Sequence, residues 1–196
     1  EIIFPAMKTI GILGGSFNPI HIGHCILANF LKQTVDIDEV WLNVSPQNPL
    51  KDTLNSDYDN HRLEMARLAV KDCCGIKVTD IEFSLPRPSY TIATLRRLQS
   101  TYPDCRFKLI IGSDNWMVFD KWKNHEEIIY EFGVIVYPRP GYPINNNNCK
   151  NVTFVDAPQI EISSTFIRQG LKDQLDMRFF IPDDVNAYIK DNNLYQ

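Results

Sequence analysis

Short apolar runs alternate with helix-period stretches along almost the whole chain, and this alternation is the main structural signal. The apolar runs have the length of buried strands and cover Thr9–Leu13, Glu39–Val44, Ile76–Ile81, Phe107–Ile111, Gly133–Tyr137 and Val152–Val155. Alternating strands and helices are typical of a parallel sheet covered on both faces. We therefore predict an α/β fold, a single doubly wound, Rossmann-like domain with a mostly parallel sheet and helices on both faces.

Apolar residues at helical spacing mark four helices between and after these strands. The stripes consist of Ile22, Ile26, Leu27, Phe30 and Leu31; Leu63, Ala66, Ala69 and Val70; Ile92, Leu95 and Leu98; and Val185, Tyr188 and Ile189. Two polar connections, Pro46–Asp57 and the asparagine-rich Pro138–Lys150, are predicted to be loops. Residues 7–196 are predicted to form one domain, and residues 1–6 are set apart as an added segment or an upstream extension.

Composition excludes several classes of protein. Of the 196 residues, 44% are apolar and 22% are charged, which is ordinary for a globular protein. The net charge of −4 argues against a nonspecific nucleic-acid-binding protein, which would be basic. Five cysteines without a C-x-x-C pair suggest neither a disulfide framework nor a structural zinc site. With no membrane-spanning run and no secretion signal, a cytoplasmic location is expected.

The segment GGSFNPIHIGH, from Gly14 to His24, directly follows the first predicted strand and opens the first predicted helix. An open α/β sheet binds its ligand at this point. Gly14 and Gly15 let backbone N–H groups approach an anion closely, and the helix N-terminus adds partial positive charge. His21 and His24 are three residues apart and therefore share one side of a helical turn. The segment predicts a polyphosphate site.

Other interpretations of this segment stay open, with less support. The glycines are not followed by the Lys-Ser/Thr of a Walker A loop, and their spacing is not that of G-x-G-x-x-G. A metal site on His21 and His24 would need further ligands, but His61 and His125 lie in unrelated helical segments. A purely structural role for the two histidines would leave the neighbouring glycines without a reason.

A second segment, ISSTFIR from Ile162 to Arg168, has related chemistry. Ser163, Ser164 and Thr165 stand where a loop turns into a helix, so hydroxyls and free N–H groups converge on an anion. Arg168, one turn further on, offers a forked and permanently charged group to phosphate. Taken alone, the segment also fits an ordinary serine N-cap followed by a surface arginine.

Together these segments resemble a known family. GSFNPIHIGH resembles the [T/H]-x-G-H motif of the nucleotidyltransferase superfamily, and ISSTFIR resembles its I-S-S-T-x-I-R motif. The residues of the two segments, and their separation of roughly 140 residues, are most similar to those of bacterial nicotinate-nucleotide adenylyltransferases. The resemblance runs from about Met7 to the C-terminus. It implies an enzyme of NAD biosynthesis that joins nicotinate mononucleotide to the AMP part of ATP, with Mg²⁺ as cofactor.

The resemblance also implies roles for individual residues. His21, His24 and Arg168 are expected to be catalytic, with His24 nearest the transition state. The ATP and phosphate site is expected to contain Gly14, Gly15, Ser16, Phe17, Lys51, Gly112, Asp114, Ser163, Ser164 and Thr165. The mononucleotide site is expected to contain Tyr90, Thr91, Val118 and Trp122. No protein residue is assigned as a metal ligand.

Several of these residues have simpler interpretations when taken alone. Asp114, which would hold the ribose hydroxyls of adenosine, also fits a helix cap. Lys51, on a basic loop that would approach the phosphates, also fits a solvated surface charge. Trp122, which would stack on the pyridine ring, also fits core packing. Trp116 competes with Trp122 for the stacking role.

The reaction class sets the expected mechanism. The attacking mononucleotide phosphate is already ionised at neutral pH, so in-line attack needs neither a general base nor a covalent intermediate. Catalysis then depends on alignment and on charge stabilisation around the α-phosphate and the departing pyrophosphate. The lack of a nucleophile–base pair in the sequence is consistent with this mechanism.

Three rival functions share the same phosphate site. A phosphopantetheine adenylyltransferase is disfavoured by chain length and by Tyr90, Thr91 and Trp122. An enzyme that prefers nicotinamide mononucleotide is separable only by comparing substrates. A nucleotide-binding regulator without turnover would not need His21, His24 and Arg168 together. The expected partners are ATP and nicotinate mononucleotide, with no nucleic acid and no membrane; a homo-oligomer is left open.

Overall fold

The computed structural model describes residues 7–46, 56–144 and 149–196. Six strands form one sheet in the order β3-β2-β1-β4-β5-β6, and every neighbouring pair is parallel. The strands are β1 Lys8–Gly15, β2 Glu39–Val44, β3 Ile76–Thr79, β4 Cys105–Gly112, β5 Val134–Tyr137 and β6 Val152–Phe154. The predicted doubly wound, Rossmann-like α/β fold is confirmed, and the sheet is parallel throughout.

Seven α-helices and two short 3-10 helices connect and cover the strands in the described part of the chain. The α-helices are α1 Ile22–Thr34, α2 Ser56–Val70, α3 Thr91–Thr101, α4 Ser113–Trp116, α5 His125–Glu131, α6 Ser164–Lys172 and α7 Asp183–Asp191. The 3-10 helices are Ile81–Ser84 and Phe119–Lys121. All four predicted helical stripes fall within α1, α2, α3 and α7.

Several predicted strand boundaries differ from the observed ones by one or two residues, and two of these differences concern the site. The third strand was predicted to reach Ile81, but β3 ends at Thr79, because Asp80 leaves the extended conformation and the Ile81 N–H donates to Thr79 Oγ1 at 3.3 Å. Conversely, β1 continues past Leu13 through Gly14 and Gly15, which pair in register with β2. The glycines of the first motif therefore belong to the end of a strand.

The two predicted loops are described only in part. Residues 47–55 of the first loop, including Lys51, lie outside the described residues, and so do residues 145–148, the asparagine run of the second loop. Ser56 and Asp57, predicted as the end of the first loop, are the first residues of α2. In the described ranges, no helix is long and apolar enough to cross a membrane.

The core lies on both faces of the sheet because successive strand residues point to opposite sides. Leu13 packs with Leu31 and Val185 on the face covered by α1, α2, α6 and α7. Ile12 packs with Leu95 on the face covered by α3 and α5. Full burial of an aliphatic side chain is worth about 1.5–3 kcal/mol, so the continuous apolar central strands stabilise the sheet from both sides.

The strand order reverses at β1, which lies between β2 and β4. Connections from β1 and from β4 leave on opposite faces, so a crevice opens at the carboxyl ends of these two strands. Gly14 and Gly112, two of the glycines expected in the phosphate site, lie at this edge.

Candidate active site

The turn from β1 to α1 forms the floor of the crevice. A Cβ atom on Gly14 would meet nothing within 4 Å, so this residue faces open space. Ser16 is exposed, whereas Phe17 is buried and has a left-handed backbone with φ of 45°. The Phe17 ring lies edge-on to the His24 ring, with centroids 5.0 Å apart. The Phe17 ring thus packs against the His24 ring.

His21 and His24 are stacked at the start of α1, with ring centroids 3.7 Å apart. The His21 backbone N–H donates to His24 Nδ1 at 3.2 Å, so neutral His24 carries its proton on Nε2. A Cβ on Gly23 would come within 3.0 Å of the His21 ring, and glycine therefore permits this stacking. The predicted pairing of the two imidazoles on one side of a helical turn is found in the structure.

Burial keeps both imidazoles neutral. Burial, together with the smaller effect of the nearby Arg139 guanidinium, lowers the pKa of His21 to about 4. Burial, His21 and Arg139 together lower the pKa of His24 well below its usual value. The buried His21 Nδ1 has no hydrogen-bond partner. In the ligand-free protein at pH 7, both rings are therefore uncharged hydrogen-bonding groups.

The second motif packs directly against the first. Ser164 Oγ donates to the carbonyl oxygen of Pro19 at 2.9 Å, and Arg168 Nη1 donates to that of Asn18 at 2.7 Å. Arg168 Nη2 also donates to Thr165 Oγ1 at 3.2 Å. The structure thus brings together two segments that lie about 140 residues apart in the chain.

Ser163 was expected either to bind an anion or to cap a helix, and in this structure it caps a helix. It is the N-cap of α6, and its Oγ accepts a hydrogen bond from the Phe166 N–H at 3.1 Å. Such a cap is typically worth about 1 kcal/mol. The N-cap interpretation is therefore correct for Ser163, while Ser164 and Arg168 bind the turn after β1.

Asp114 does not cap a helix, because Gly112 is the N-cap of α4 and Asp114 Oδ1 is buried without a hydrogen-bond partner. Its Oδ2 lies 3.8 Å from Arg139 Nε. A Cβ on Gly112 would lie 2.4 Å from Asp114 Oδ1 and 2.7 Å from Arg139 Cγ, so only glycine fits there. An unpartnered carboxylate oxygen at this edge is available to a ligand.

Arg139 and Arg62 are site residues that sequence reasoning missed. Arg139 follows β5 in the segment YPRPG, and a cation directly after a strand at the carboxyl edge was a usable signal. Arg62, buried on α2, donates to the carbonyl oxygen of Ser16 and, at 2.8 Å, to that of Ser45. It also pairs with Asp59 Oδ1 at 2.7 Å. Arg62 therefore ties the ends of β1 and β2 together.

Two cavities meet at the carboxyl end of β1, and Leu13, Gly14, Asn115 and Tyr137 line both. One cavity has a volume of about 160 Å³, and its polar lining comes from His21, His24, Asp114, Arg139 and Gln159. It adjoins an open cavity of about 630 Å³ that Arg139 and Gln159 also line. The second cavity, of about 250 Å³, contains Thr91 and Trp122 together with Asn43, Glu82 and Thr94.

The predicted mononucleotide residues divide into two groups. Trp122 and Thr91 line the 250 Å³ cavity, whereas Trp116 stacks on Phe119 with centroids 5.2 Å apart and lies outside that lining. Tyr90 and Val118 are 46% and 41% exposed and also lie outside it. Geometry thus favours Trp122 over Trp116.

The two exposed residues, Tyr90 and Val118, both make contacts within the protein. The Val118 N–H already donates to the Asn115 carbonyl at 3.2 Å, so it is engaged within the protein. Lys123 Nζ lies 4.3 Å from the centroid of the Tyr90 ring, a cation–π contact between the segments that carry Trp122 and Thr91.

Comparison with known proteins shows the family of the chain. The cytidylyltransferase-like family matches residues 12–170. The "probable nicotinate-nucleotide adenylyltransferase" of Bacteroides thetaiotaomicron is 50% identical over 94% of this chain and 92% of its own length. That of Bacteroides fragilis is 51% identical over 90% and 88%. A nicotinic acid mononucleotide adenylyltransferase of Plasmodium falciparum, solved in complex with APC, has the same fold, with a TM-score of 0.76, 22% identity and 96% and 97% coverage.

The parallel sheet and the two joined motifs at its switch point define a cytidylyltransferase-like nucleotidyltransferase. Among these proteins, the identity over nearly the whole chain is decisive. The chain belongs to the nicotinate-nucleotide adenylyltransferase family.

Proposed function

We propose that the protein transfers the AMP part of ATP to nicotinate mononucleotide, giving nicotinate adenine dinucleotide and pyrophosphate. The observation that carries this proposal is the pair of cavities that meet at Gly14, which has no side chain and faces open space. ATP phosphates would lie beside His21 and His24, and the pyridine ring would lie beside Trp122. The two reacting groups would then meet at the end of β1.

The chemistry assigned to the site is in-line displacement at the α-phosphate. The mononucleotide phosphate attacks without a general base because it is already ionised at neutral pH. His24 has a proton on Nε2 and can donate it as a hydrogen bond to the α-phosphate, where charge develops in the transition state. Arg168, fixed by the Asn18 carbonyl, supports the turn that holds the departing pyrophosphate.

The adenosine end of ATP is assigned to the Asp114 side of the site. Asp114 Oδ1 is an unpartnered acceptor and suits the ribose hydroxyls of adenosine. The open cavity of about 630 Å³ beyond Arg139 has room for the purine. Glycine at position 112 leaves the space in which Asp114 and Arg139 approach each other.

Mg²⁺ is proposed to enter as part of the substrate, bound to ATP. Among the residues that the structure describes, no group of three or more His, Cys, Asp or Glu side chains could hold a metal ion. Phosphate oxygens and water would therefore supply most of its ligands, as is usual for Mg²⁺. Bound there, the ion would neutralise charge on the phosphates.

Pyrophosphate release with ATP and Mg²⁺ tests the proposal, with nicotinate mononucleotide, nicotinamide mononucleotide and phosphopantetheine assayed in parallel. We expect kcat/KM to be at least about tenfold higher for nicotinate mononucleotide, which corresponds to about 1.4 kcal/mol of discrimination. A preference for phosphopantetheine would retain the phosphate site and reject the acceptor assignment. ATP binding without turnover on any acceptor would indicate a regulator.

A further inference from the structure

Three polar side chains are buried at the base of the 250 Å³ cavity and are not used by the proposed chemistry. Asn43, Glu82 and Thr94 are only 3%, 9% and 2% exposed. They come from three different elements, namely β2, the 3-10 helix Ile81–Ser84 and α3. Burial of polar groups costs free energy unless hydrogen bonds compensate for it, so this cluster needs an explanation.

Glu82 is the centre of the cluster. Its Oε1 accepts one hydrogen bond from Asn43 Nδ2 and another from Thr94 Oγ1, both at 2.9 Å. A carboxylate can only accept, so the atom of the Asn43 amide that faces Glu82 must be the nitrogen. The oxygen is therefore forced to the other side. Asn43 Oδ1 is indeed buried and has no hydrogen-bond partner in the protein.

We propose that Glu82 is a positioning residue that fixes the Asn43 amide so that its Oδ1 accepts a hydrogen bond from the bound mononucleotide. This inference rests on the proposed function. The ligand group must be an uncharged donor, because the phosphate and the carboxylate of the mononucleotide are anionic at neutral pH and would meet the Glu82 carboxylate. In nicotinate mononucleotide the uncharged donors are the ribose hydroxyls. Asn43 would thus bind the ribose and orient the phosphate toward Gly14.

A carboxamide is a second source of an uncharged donor, and it occurs in nicotinamide mononucleotide alone. The two sources make different predictions. If Asn43 binds the ribose, disturbing it raises KM for both mononucleotides by similar factors. If it binds the carboxamide, KM rises for nicotinamide mononucleotide only, and the assignment to ribose is wrong.

Glu39 offers a matched control. It is also a buried glutamate, and it accepts hydrogen bonds from Trp41 Nε1 and Lys8 Nζ, both at 2.8 Å. It lies on the same strand as Asn43, four residues earlier, which places it about 13 Å away, at the amino end of the sheet. Glu39→Leu removes the same chemical group from a site remote from the cavity.

The test compares Glu82→Leu, Glu82→Gln, Asn43→Ala, the double variant Glu82→Leu/Asn43→Ala and Glu39→Leu. For Glu82→Leu we expect KM for nicotinate mononucleotide to rise at least tenfold, while KM for ATP changes less than twofold. Glu82→Gln keeps an acceptor oxygen and should recover most of this loss. The double variant should be no worse than Asn43→Ala alone, because Glu82 acts through Asn43. Glu39→Leu should lower Tm without shifting either KM.

Other results would overturn the inference. Equal rises in both KM values for Glu82→Leu, or the same KM shift in Glu39→Leu, would mean that Glu82 only supports the fold. If Glu82→Leu does not fold, an unchanged mononucleotide KM in Asn43→Ala overturns the inference by itself. The wild type is assayed first. If it uses another acceptor, the proposed function fails, and the same KM comparison on that acceptor still decides the role of Glu82.

Discussion

The hydroxyl of Tyr195, the penultimate residue, donates a hydrogen bond to Asn18 Oδ1 at 2.6 Å. Asn18 belongs to the turn between β1 and α1, and its carbonyl oxygen also accepts from Arg168. Burial raises the pKa of Tyr195 above its usual value, so the hydroxyl stays a donor across the range in which enzymes are assayed. The C-terminal segment therefore holds the turn between β1 and α1 in place.

We expect Tyr195→Phe to lower kcat/KM for ATP about fivefold, because a lost hydrogen bond of about 1 kcal/mol leaves Asn18 less well fixed. Tyr188→Phe is the control, since the Tyr188 hydroxyl bonds His61 Nδ1 at 2.8 Å between α2 and α7 and not Asn18. Steady-state kinetics of both variants measure the effect. An equal loss in the two variants would show that the tail acts on stability alone.

His24→Ala is expected to reduce kcat about a hundredfold while the fold persists. The reason is the loss of a preorganised donor to the α-phosphate, which is worth about 2.7 kcal/mol. His125, which packs edge-on against Phe119, serves as the control for removing an imidazole. Circular dichroism and steady-state kinetics check the pair, and a near-wild-type kcat would remove His24 from the mechanism.

The candidate residues whose relative positions could be predicted from the sequence lie in continuous segments. His21 and His24 are one helical turn apart, so their stacking follows from local geometry. The predicted end of the first strand also puts Gly14 at the carboxyl edge of the sheet, although β1 itself continues to Gly15. Each of these inferences needed only the helical or strand period and the point at which the strand ends.

Residues that depend on tertiary contacts were missed. Glu82 meets Asn43 across 39 residues of chain, and it stands just after the predicted strand Ile76–Ile81, where no motif marks it. Arg62 was hidden inside an apolar stripe of α2, where its partners are backbone carbonyls that carry no sequence signal. Local periodicity contains no information about such pairings, which are fixed by strand order and register.

His21 makes stability depend on pH. Its pKa is about 4 in the folded protein, below the ordinary 6.5 that the unfolded chain restores. Above pH 6.5 both states are neutral at this residue and it has no effect. Between pH 6.5 and 4 the unfolded state binds a proton that the folded state does not. As the pH is lowered through this range, the free energy of unfolding therefore falls by at most about 1.4 kcal/mol per pH unit.

His21→Asn should therefore reduce the loss of unfolding free energy that occurs as the pH is lowered from about 6.5 to 4. Urea unfolding at pH 7.5, 6, 5 and 4.5 measures the free energy of unfolding for the wild type and the variant. We expect the difference between the two to depend on pH only below about 6.5. A constant difference would mean that His21 ionises in the folded protein as it does in the unfolded chain.

Trp122→Ala is expected to raise KM for the mononucleotide about tenfold and KM for ATP less than twofold, because Trp122 lines the 250 Å³ cavity and not the cavity that His21 and His24 line. Trp116→Ala is the matched control, since Trp116 packs on Phe119 and Phe154 outside that lining. We expect this control to lower Tm with little change in either KM. If Trp122→Ala raised both KM values equally, Trp122 would support the fold rather than the pyridine ring.

Arg139 links the charge of the site to the state of its histidines. It lies 3.8 Å from Asp114 and lowers the pKa of His21 and His24, so Arg139→Met should raise both imidazole pKa values in the ligand-free protein. The same variant should raise KM for ATP about tenfold, since it removes a cation that lines both of the cavities proposed to bind ATP.

NMR titration of the histidine side chains measures the first effect, and steady-state kinetics measure the second. Arg178→Met is the control, because Arg178 is an exposed arginine paired with Asp176 away from the crevice. It should change neither the histidine pKa values nor KM for ATP. If Arg139→Met raised KM for ATP but left both pKa values unchanged, Arg139 would bind the nucleotide without setting the ionisation of His21 and His24.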